Sequence, residues 1–279
     1  MANLNRPRIV TVLGTRPELI KCSTLLPRFD DLFEHALVHT GQHYDEQMDA
    51  VFFRDLGLRA PDYALHVGSG SHASQLAGML TGIEAALLER RPDLVFVQGD
   101  TNSTLAGGLA AAKLNMPVAH LEAGCRSFNR AMPEETNRVV VDHLADLLLA
   151  PDDLAADNLR REGIAAERVS IVGSTGIDAC LRMAQSPAGG ETLRALGVEP
   201  RGYLVATIHR AENTTPERLA GIMAALADLS TTWPIIFPVH PRTAKSLEGI
   251  ACSADVRRIE PVGYATMIQL LGGCRALLT

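Results

Sequence analysis

The chain has 279 residues, a formal net charge of −6 and an isoelectric point near 5.8. This length suffices for two domains with a sizeable hydrophobic core. The acidic balance argues against a surface that binds nucleic acid or anionic membranes, because either surface would need a basic stripe. No apolar run approaches membrane-spanning length, and the N-terminal residues lack the apolar stretch of a secretory signal. We therefore expect neither a nucleic-acid partner nor a membrane partner.

The cysteines indicate a reducing compartment. They are five in number, scattered and without Cys-x-x-Cys spacing, at positions 22, 125, 180, 252 and 274. This distribution predicts reduced thiols and a cytoplasmic location, with neither a disulfide frame nor a metal site. The chain also lacks a G-x-G-x-x-G fingerprint, so no nicotinamide or other cofactor is predicted.

The first strand and helix predict an anion-binding turn. Arg8–Leu13 is a buried-type strand, and Gly14–Glu18 turns it into a helix that we expect to continue through Leu26. Pro17 suits a first helical position, because its missing N–H would be unpaired there. Free N–H groups and the positive end of the helix dipole would then lie beside Arg16 and could seat a phosphate. Alternatively, Arg16 is a surface cation on an ordinary strand–helix turn.

The next unit carries two histidines in a polar segment. His35–Thr40 reads as the second strand, followed by a loop from position 41 and a helix through Leu56. His39 and His43 are four residues apart, but a strand end and a loop separate them, so a helical metal pair is not predicted.

Two successive strands further along each end near a carboxylate. Leu94–Val97 leads to Asp100 and an Ala-rich helix, and the strand 117–120 leads to Glu122. In open parallel sheets, ligands bind at the carboxyl ends of the strands. We therefore expect Asp100 and Glu122 at one edge. The alternatives are that Asp100 only caps its helix and that Glu122 is a hydrogen-bonded loop carboxylate.

A third acidic position follows Pro133. Glu134 and Glu135 open a segment, 134–150, whose apolar residues have helical spacing, so we predict one helix over that range. These acids could merely complement the helix dipole. Together with Asp100 and Glu122, however, they are typical of a proton-transfer site.

The repeated strand–helix pattern predicts an α/β protein with two Rossmann-like domains and parallel sheets. Ser186–Gly190 is the best linker signal, which gives an N-terminal domain at 1–180 that carries the acidic residues and a C-terminal domain at 190–279. In the second domain, strands are predicted to end at His209-Arg210 and His240. The last strand lacks a covering helix, so we expect this domain to be incomplete and the chain to be truncated at its C-terminus.

Five motifs give the sequence a family resemblance. GTRPE at 14–18, GDTNST at 99–104, HLEAG at 120–124, RSFNRAMPEETNR at 126–138 and HRAEN at 209–213 resemble the non-hydrolysing UDP-N-acetylglucosamine 2-epimerases. The resemblance implies a GT-B-like arrangement, a homodimer in the full-length family and a role in cell-envelope polysaccharide biosynthesis. It also implies a UDP-sugar substrate whose C2 is inverted by elimination and re-addition of UDP through 2-acetamidoglucal.

The same resemblance implies roles for individual residues. The catalytic residues would be Asp100, Glu122, Glu134 and His209, and the substrate-binding residues would be Arg16, Arg210 and His240. Gln42 and His43 would border a second, effector site, although a plain polar loop is an equal alternative.

Three alternative classes of function stay open: a different reaction of related enzymes, glycosyl transfer, and binding without catalysis. The motif at 126–138 also resembles relatives that act on UDP-2,3-diacetamido uronic acids, and hydrolysing relatives release free N-acetylmannosamine. A GT-B glycosyltransferase would share the fold without needing three acids at one sheet edge. A UDP-sugar-binding fragment without catalytic activity is the third alternative. Substrate and product analysis distinguishes them.

Overall fold

A computed structural model describes residues 6–41, 53–185, 193–208, 213–247, 249–250 and 253–279. The chain divides into two compact units, Met1–Ala179 and Cys180–Thr279. Across the described residues, none of the helices is both long enough and apolar enough to cross a membrane. Gln42, His43, His209, Arg210 and the linker 186–190 lie outside the described residues.

The first unit alternates strands with helices. Its strands are β1 (Arg8–Leu13), β2 (Glu34–His39), β3 (Tyr63–Ala64), β4 (Leu94–Gln98), β5 (Val118–Leu121), β6 (Leu147–Ala150) and β7 (Val169–Ile171). Its helices are α1 (Arg16–Cys22), α2 (Leu26–Leu32), α3 (His72–Arg90), α4 (Asn102–Lys113), α5 (Pro133–Leu144), α6 (Asp153–Arg161) and α7 (Thr175–Ala184), the last of which reaches into the second unit.

The seven strands form one parallel sheet in the order β3-β2-β1-β4-β5-β6-β7. The chain builds outward from β1 through β2 to β3 and then returns to the other side of β1 with β4. The strand order therefore reverses between β1 and β4. In open α/β sheets a ligand crevice forms at such a reversal, outside the carboxyl ends of the strands.

Small residues let α4 lie close to the sheet beside this reversal. A Cβ atom on Gly107 would come within 2.8 Å of the Val97 side chain and 3.1 Å of the Val12 side chain, so there is no room for a side chain at this position of the helix. Gly14, at the end of β1, is tighter still, because a Cβ there would overlap the hydroxyl groups of Thr40 and Ser103. Gly14 thus sets the spacing at the edge where the acidic residues lie, and Gly107 sets the spacing between α4 and the sheet.

Two helix predictions in this unit were wrong at their ends. The helix predicted over 134–150 ends at Leu144, and Leu147–Ala150 is instead strand β6, paired with β5 and β7. Ala145 has an extended backbone (ψ 142°), and pairing on both sides outweighs the helical spacing of the leucines. The helix predicted through Leu26 ends at Cys22, where α1 gives way to a turn before α2.

The second unit repeats the pattern on a smaller scale. Its strands are β8 (Leu204–Ala206), β9 (Ile235–Pro238), β10 (Val256–Ile259) and β11 (Ala276–Leu278), and its helices include α8 (Pro216–Ser230), α9 (Pro241–Ser246) and α10 (Tyr264–Gly273). The sheet is parallel in the order β10-β9-β8-β11. The predicted α/β class with two parallel sheets is confirmed.

Candidate active site

A cavity of about 680 Å³ lies in the first unit where the strand order reverses. Residues from the end of β1 and from α1 line one side, and the residues that follow β4 line another. The start of α5 completes the wall. Charged residues at the cavity are Arg16, Glu18, Lys21, Asp100 and Glu134.

Glu18 organises the turn between β1 and α1. Its Oε2 accepts the backbone N–H groups of Gly14 (2.9 Å) and Thr15 (2.7 Å), and its Oε1 accepts the hydroxyl group of Thr101 (2.7 Å). The Thr104 hydroxyl oxygen is also 3.1 Å from Oε1, but its one hydrogen has the shorter bond, 2.7 Å, to the carbonyl oxygen of Gln98. Burial raises the pKa of Glu18, and these hydrogen bonds offset the rise only in part. The carboxyl group thus links the turn that carries Arg16 to the turn that follows β4.

This arrangement changes the predicted phosphate seat. The N–H groups of Gly14 and Thr15 are occupied by Glu18, so they are not available to a phosphate. The half-buried Arg16 side chain, which lines the cavity, is the group that the turn offers to an anion. Anion binding by the Arg16 guanidinium stays a prediction.

Glu122 lies just after β5 in a left-handed backbone conformation, with φ of 66°. This conformation is unfavourable for a residue with a side chain. Its Oε2 accepts the Lys21 ammonium and the Gln98 amide, both at 2.7 Å. Lys21 and Gln98 line the cavity. The carboxylate is thus fixed against the cavity wall by one cation and one neutral donor.

Asp100 is held from α5. The Arg138 guanidinium donates to its Oδ2 from Nη2 (2.5 Å) and from Nε (2.9 Å), and Asn137 donates to its backbone carbonyl oxygen at 2.8 Å. The aspartate side chain keeps 31% of its surface exposed, so one face remains open towards the cavity. Asp100 is a braced carboxylate that solvent or a ligand can still reach.

The adjacent acids of α5 differ in environment. Glu134 is exposed and lines the cavity. Glu135 is 3% exposed and accepts hydrogen bonds from Ser127, Phe128 and Arg138 at 2.9–3.0 Å. Burial would raise the pKa of Glu135, but these donors lower it to about 2. Glu134 is therefore the member of the pair that can act on a ligand, and Glu135 anchors Arg138.

The remaining predicted residues are elsewhere. His240 follows β9 in the second unit and is exposed, while His209, Arg210, Gln42 and His43 lie outside the described residues. Within the described ranges, no group of three or more His, Cys, Asp or Glu side chains is arranged to hold a metal ion.

The chemical character of the cavity is that of a polar acid–base site. Two cationic and three carboxylic side chains line a space large enough for a nucleotide sugar fragment, and a fourth carboxylate, Glu122, contacts its wall. Such a set can transfer protons and neutralise developing negative charge.

The comparisons with known proteins agree with this character. A family model described as UDP-N-acetylglucosamine 2-epimerase matches residues 28–279. The chain belongs to this family. A UDP-N-acetylglucosamine 2-epimerase from Methanococcus maripaludis is 43% identical over 284 residues, which cover 98% of this chain and 77% of the relative. A UDP-2,3-diacetamido-2,3-dideoxy-D-glucuronate 2-epimerase from Pseudomonas aeruginosa is 42% identical, with coverage of 98% and 77%.

Solved structures of the 2-epimerase family share the fold. The structure of UDP-GlcNAc 2-epimerase from Methanocaldococcus jannaschii superposes with a TM-score of 0.84 at 39% identity and covers 97% of this chain and 77% of that one. A structure of the same enzyme in complex with UDP-GlcNAc and UDP gives a TM-score of 0.79 at 40% identity and covers 97% and 78%. The likeness confirms the predicted GT-B-like α/β architecture.

For this 2-epimerase-family chain, sequence reasoning missed the residues that hold the carboxylates. Lys21, Gln98 and Arg138 were not singled out, yet each contacts Glu122 or Asp100. A signal existed for Lys21, which is one helical turn beyond Glu18 on the same helix. Arg138 similarly follows Glu135 by three residues on α5. No local pattern pointed to Gln98.

Proposed function

We propose that the chain inverts C2 of UDP-N-acetylglucosamine and so interconverts this compound with UDP-N-acetylmannosamine. The observation that carries the proposal is the convergence of Asp100, Glu122 and Glu134 with Arg16 and Lys21 around one cavity at the strand reversal. Membership of the 2-epimerase family supports this substrate class. The family resemblance further implies that the product supplies cell-envelope polysaccharides.

The chemistry requires both acids and cations. The C2–H bond has no adjacent carbonyl group, so deprotonation alone would be prohibitively slow. In the proposed route a carboxylate takes the C2 proton, the C–H electron pair forms the C1=C2 bond, and the C1–O bond breaks with its electrons on the diphosphate. Addition of the UDP oxygen back to C1, with a proton delivered to the opposite face of C2, gives the epimer.

The site residues fit these steps in distinct ways. Asp100, Glu122 and Glu134 are the proposed proton donors and acceptors, since they come from three elements and can approach a sugar from different directions. Arg16 is the proposed partner of the departing diphosphate, where negative charge develops. Lys21 orients Glu122 through their 2.7 Å contact.

Three residues of the second unit also have proposed roles. His209 is proposed as a further ligand of the diphosphate, and Arg210 and His240 as nucleotide contacts. These three roles rest on the motif resemblance.

The decisive experiment follows the C2 proton. The chain is incubated with UDP-N-acetylglucosamine in deuterated water, and C2 is observed by proton NMR. We expect loss of the C2 proton signal and appearance of the manno epimer. Glu122→Gln and Asp100→Asn should each slow exchange by about 10²–10⁴-fold, whereas Glu89→Gln, on the exposed face of α3, should leave it unchanged.

One specific observation favours a second candidate. The 42% identity to the Pseudomonas aeruginosa diacetamido-glucuronate 2-epimerase is nearly that of the Methanococcus maripaludis enzyme. The same exchange assay is therefore run with the UDP-2,3-diacetamido uronic acid. Exchange with that sugar alone would replace the proposed substrate. Release of free N-acetylmannosamine would indicate hydrolysis, and UDP binding without exchange of either sugar would refute the catalytic proposal.

A further inference from the structure

A fully buried histidine lies behind the carboxylates of the cavity. His120 is the third residue of β5, and its Nδ1 is 2.7 Å from Oδ1 of Asp142 on α5. Neither side chain has any exposed surface. The opposite ring nitrogen, Nε2, is 2.7 Å from the carbonyl oxygen of Gly99, the residue before Asp100. Both ring nitrogens are therefore engaged at short distance.

Both partners of the ring can only accept hydrogen bonds. A carbonyl oxygen has no hydrogen to donate, and an ionised carboxylate has none either. A neutral imidazole has one N–H and one lone pair, so it would place a lone pair against an oxygen in one of the two contacts. Only the imidazolium, with both nitrogens protonated, satisfies both contacts in a site without solvent.

The environment of Asp142 supports its ionised form. Its Oδ2 accepts the Arg126 guanidinium at 2.7 Å and the Gly124 backbone N–H at 3.0 Å. Arg126 also makes a bidentate contact with Glu162, with both distances 2.7 Å. With His120 protonated, the network has two cations and two anions, which offsets the cost of burying charge.

We propose that His120 is a buried imidazolium at neutral pH and a positioning residue that fixes the two turns carrying Asp100 and Glu122. Its Nε2 holds the Gly99 carbonyl on the first turn. Through Asp142 it holds the Gly124 N–H, two residues beyond Glu122, on the second. The positioning role rests on the proposed function, whereas the charge on the ring does not.

A second buried histidine provides an internal control. His35 has 1% of its side chain exposed and its Nδ1 is 2.6 Å from Asp30, so it also faces a carboxylate. Its Nε2, however, is 2.9 Å from the Thr11 hydroxyl group, which can donate as well as accept. Burial lowers the pKa of His35. His35 is therefore expected to be neutral at pH 7, with Nε2 unprotonated.

The first test reads the protonation state directly. The full chain is labelled with ¹⁵N-histidine, and the ring nitrogens are observed at pH 7, assigned through bonds to the backbone. We expect two protonated ring nitrogens for His120 and one for His35. An unprotonated ring nitrogen on His120 would overturn the proposal. Asp142→Asn should convert His120 to the neutral form, because the carboxylate that it faces is lost.

The second test examines positioning by kinetics. His120→Asn should lower kcat on the order of 100-fold while the KM for UDP-N-acetylglucosamine changes about threefold or less, because misplaced carboxylates slow the reaction more than they weaken binding. His35→Asn is the matched control and should retain full turnover. A His120→Asn protein with unchanged kcat would refute the positioning role. If the wild-type chain shows no exchange at all, the proposed function fails, and the ring-nitrogen spectrum still decides the charge on His120.

Discussion

Two buried glutamates at the same sheet edge have opposite electrostatic environments. Glu18, in the turn after β1, is 2% exposed, and Glu135, at the start of α5, is 3% exposed. Each accepts hydrogen bonds from two backbone N–H groups and one hydroxyl group. Glu135 also accepts the Arg138 guanidinium, whereas the Thr104 hydroxyl group beside Glu18 has its shorter bond, 2.7 Å, to the Gln98 carbonyl oxygen.

The cation and the depth of burial together separate their behaviour, because Glu18 is enclosed more completely than Glu135. Burial raises the pKa of Glu18, while the donors around Glu135 lower its pKa to about 2. Neutral donors only reduce the cost of burying the charge on Glu18, whereas the backbone donors and the Arg138 cation together outweigh the smaller cost at Glu135. The comparison teaches that a full set of hydrogen bonds does not by itself make a buried carboxyl group acidic.

The largest effect is expected when the cation is removed. Arg138→Met leaves Glu135 buried without its cation and frees Asp100, so the free energy of unfolding should fall by about 3–5 kcal/mol at pH 7. Epimerisation should also slow on the order of 100-fold because Asp100 loses its orientation. Chemical denaturation and the C2 exchange assay measure the two effects.

The matched control for this variant is an exposed arginine pair. Arg160 and Asp157 are each 50% exposed, so Arg160→Met should cost less than about 1 kcal/mol. Equal losses for Arg138→Met and Arg160→Met would show that the cation does not distinguish Glu135 from Glu18.

Removal of Glu18 is expected to have a smaller but clear effect. Glu18→Ala leaves two backbone N–H groups and the Thr101 hydroxyl group without their acceptor, which should cost about 2–4 kcal/mol. Glu18→Gln can still accept from the backbone and donate to the hydroxyl groups, so it should cost about 1 kcal/mol. The difference is measured by chemical denaturation, and a glutamine variant as unstable as the alanine variant would contradict the bracing role.

The pH dependence of stability should have opposite signs for the two glutamates. Glu135 has a depressed pKa, so its charged form stabilises the folded state above its ordinary pKa of 4.5. This contribution to the free energy of unfolding, at most about 3 kcal/mol, is lost as the pH falls through about 2. Glu18 has a raised pKa, so its contribution is present below 4.5 and is lost as pH rises through the folded-state value. Denaturation of Glu135→Gln, Glu18→Gln and the wild type over a pH series measures both slopes.

The outcome for each variant is then specific. The deficit of Glu135→Gln relative to the wild type should shrink as the solution is acidified, and that of Glu18→Gln should shrink as it is made alkaline. Parallel slopes for the two variants would contradict the contrast.

The fold was predictable from the sequence wherever burial of a segment produces a local pattern of apolar residues. Strands such as Leu94–Gln98 are buried on both faces and therefore appear as short apolar runs. Strand β6 was missed because its leucines continue the helical spacing of α5. The segment is a strand because it pairs with β5 and β7. That pairing is a tertiary effect, which periodicity does not report.

Part of the candidate site was also predictable from the sequence. Asp100 and Glu122 follow successive parallel strands, so their common edge could be inferred from topology alone. The groups that brace them are distant in sequence: Lys21 is 101 residues from Glu122, and Arg138 is 38 residues from Asp100. The opposite pKa shifts of Glu18 and Glu135 likewise depend on which groups of other segments or turns lie next to each carboxyl group.

The smallest effect tests one bond of the Glu18 network. Thr101→Val removes one hydroxyl group that donates to Glu18 and also accepts the Thr104 N–H at the start of α4, so stability should fall by about 1–2 kcal/mol. The pKa of Glu18 should rise further, because that bond is the largest of the influences that lower it. Thr81→Val, on the exposed face of α3, is the control and should change stability by about 0.5 kcal/mol or less. If Thr101→Val left the alkaline loss of stability at the same pH as in the wild type, the hydroxyl group would not moderate the charge on Glu18, and burial alone would explain its raised pKa.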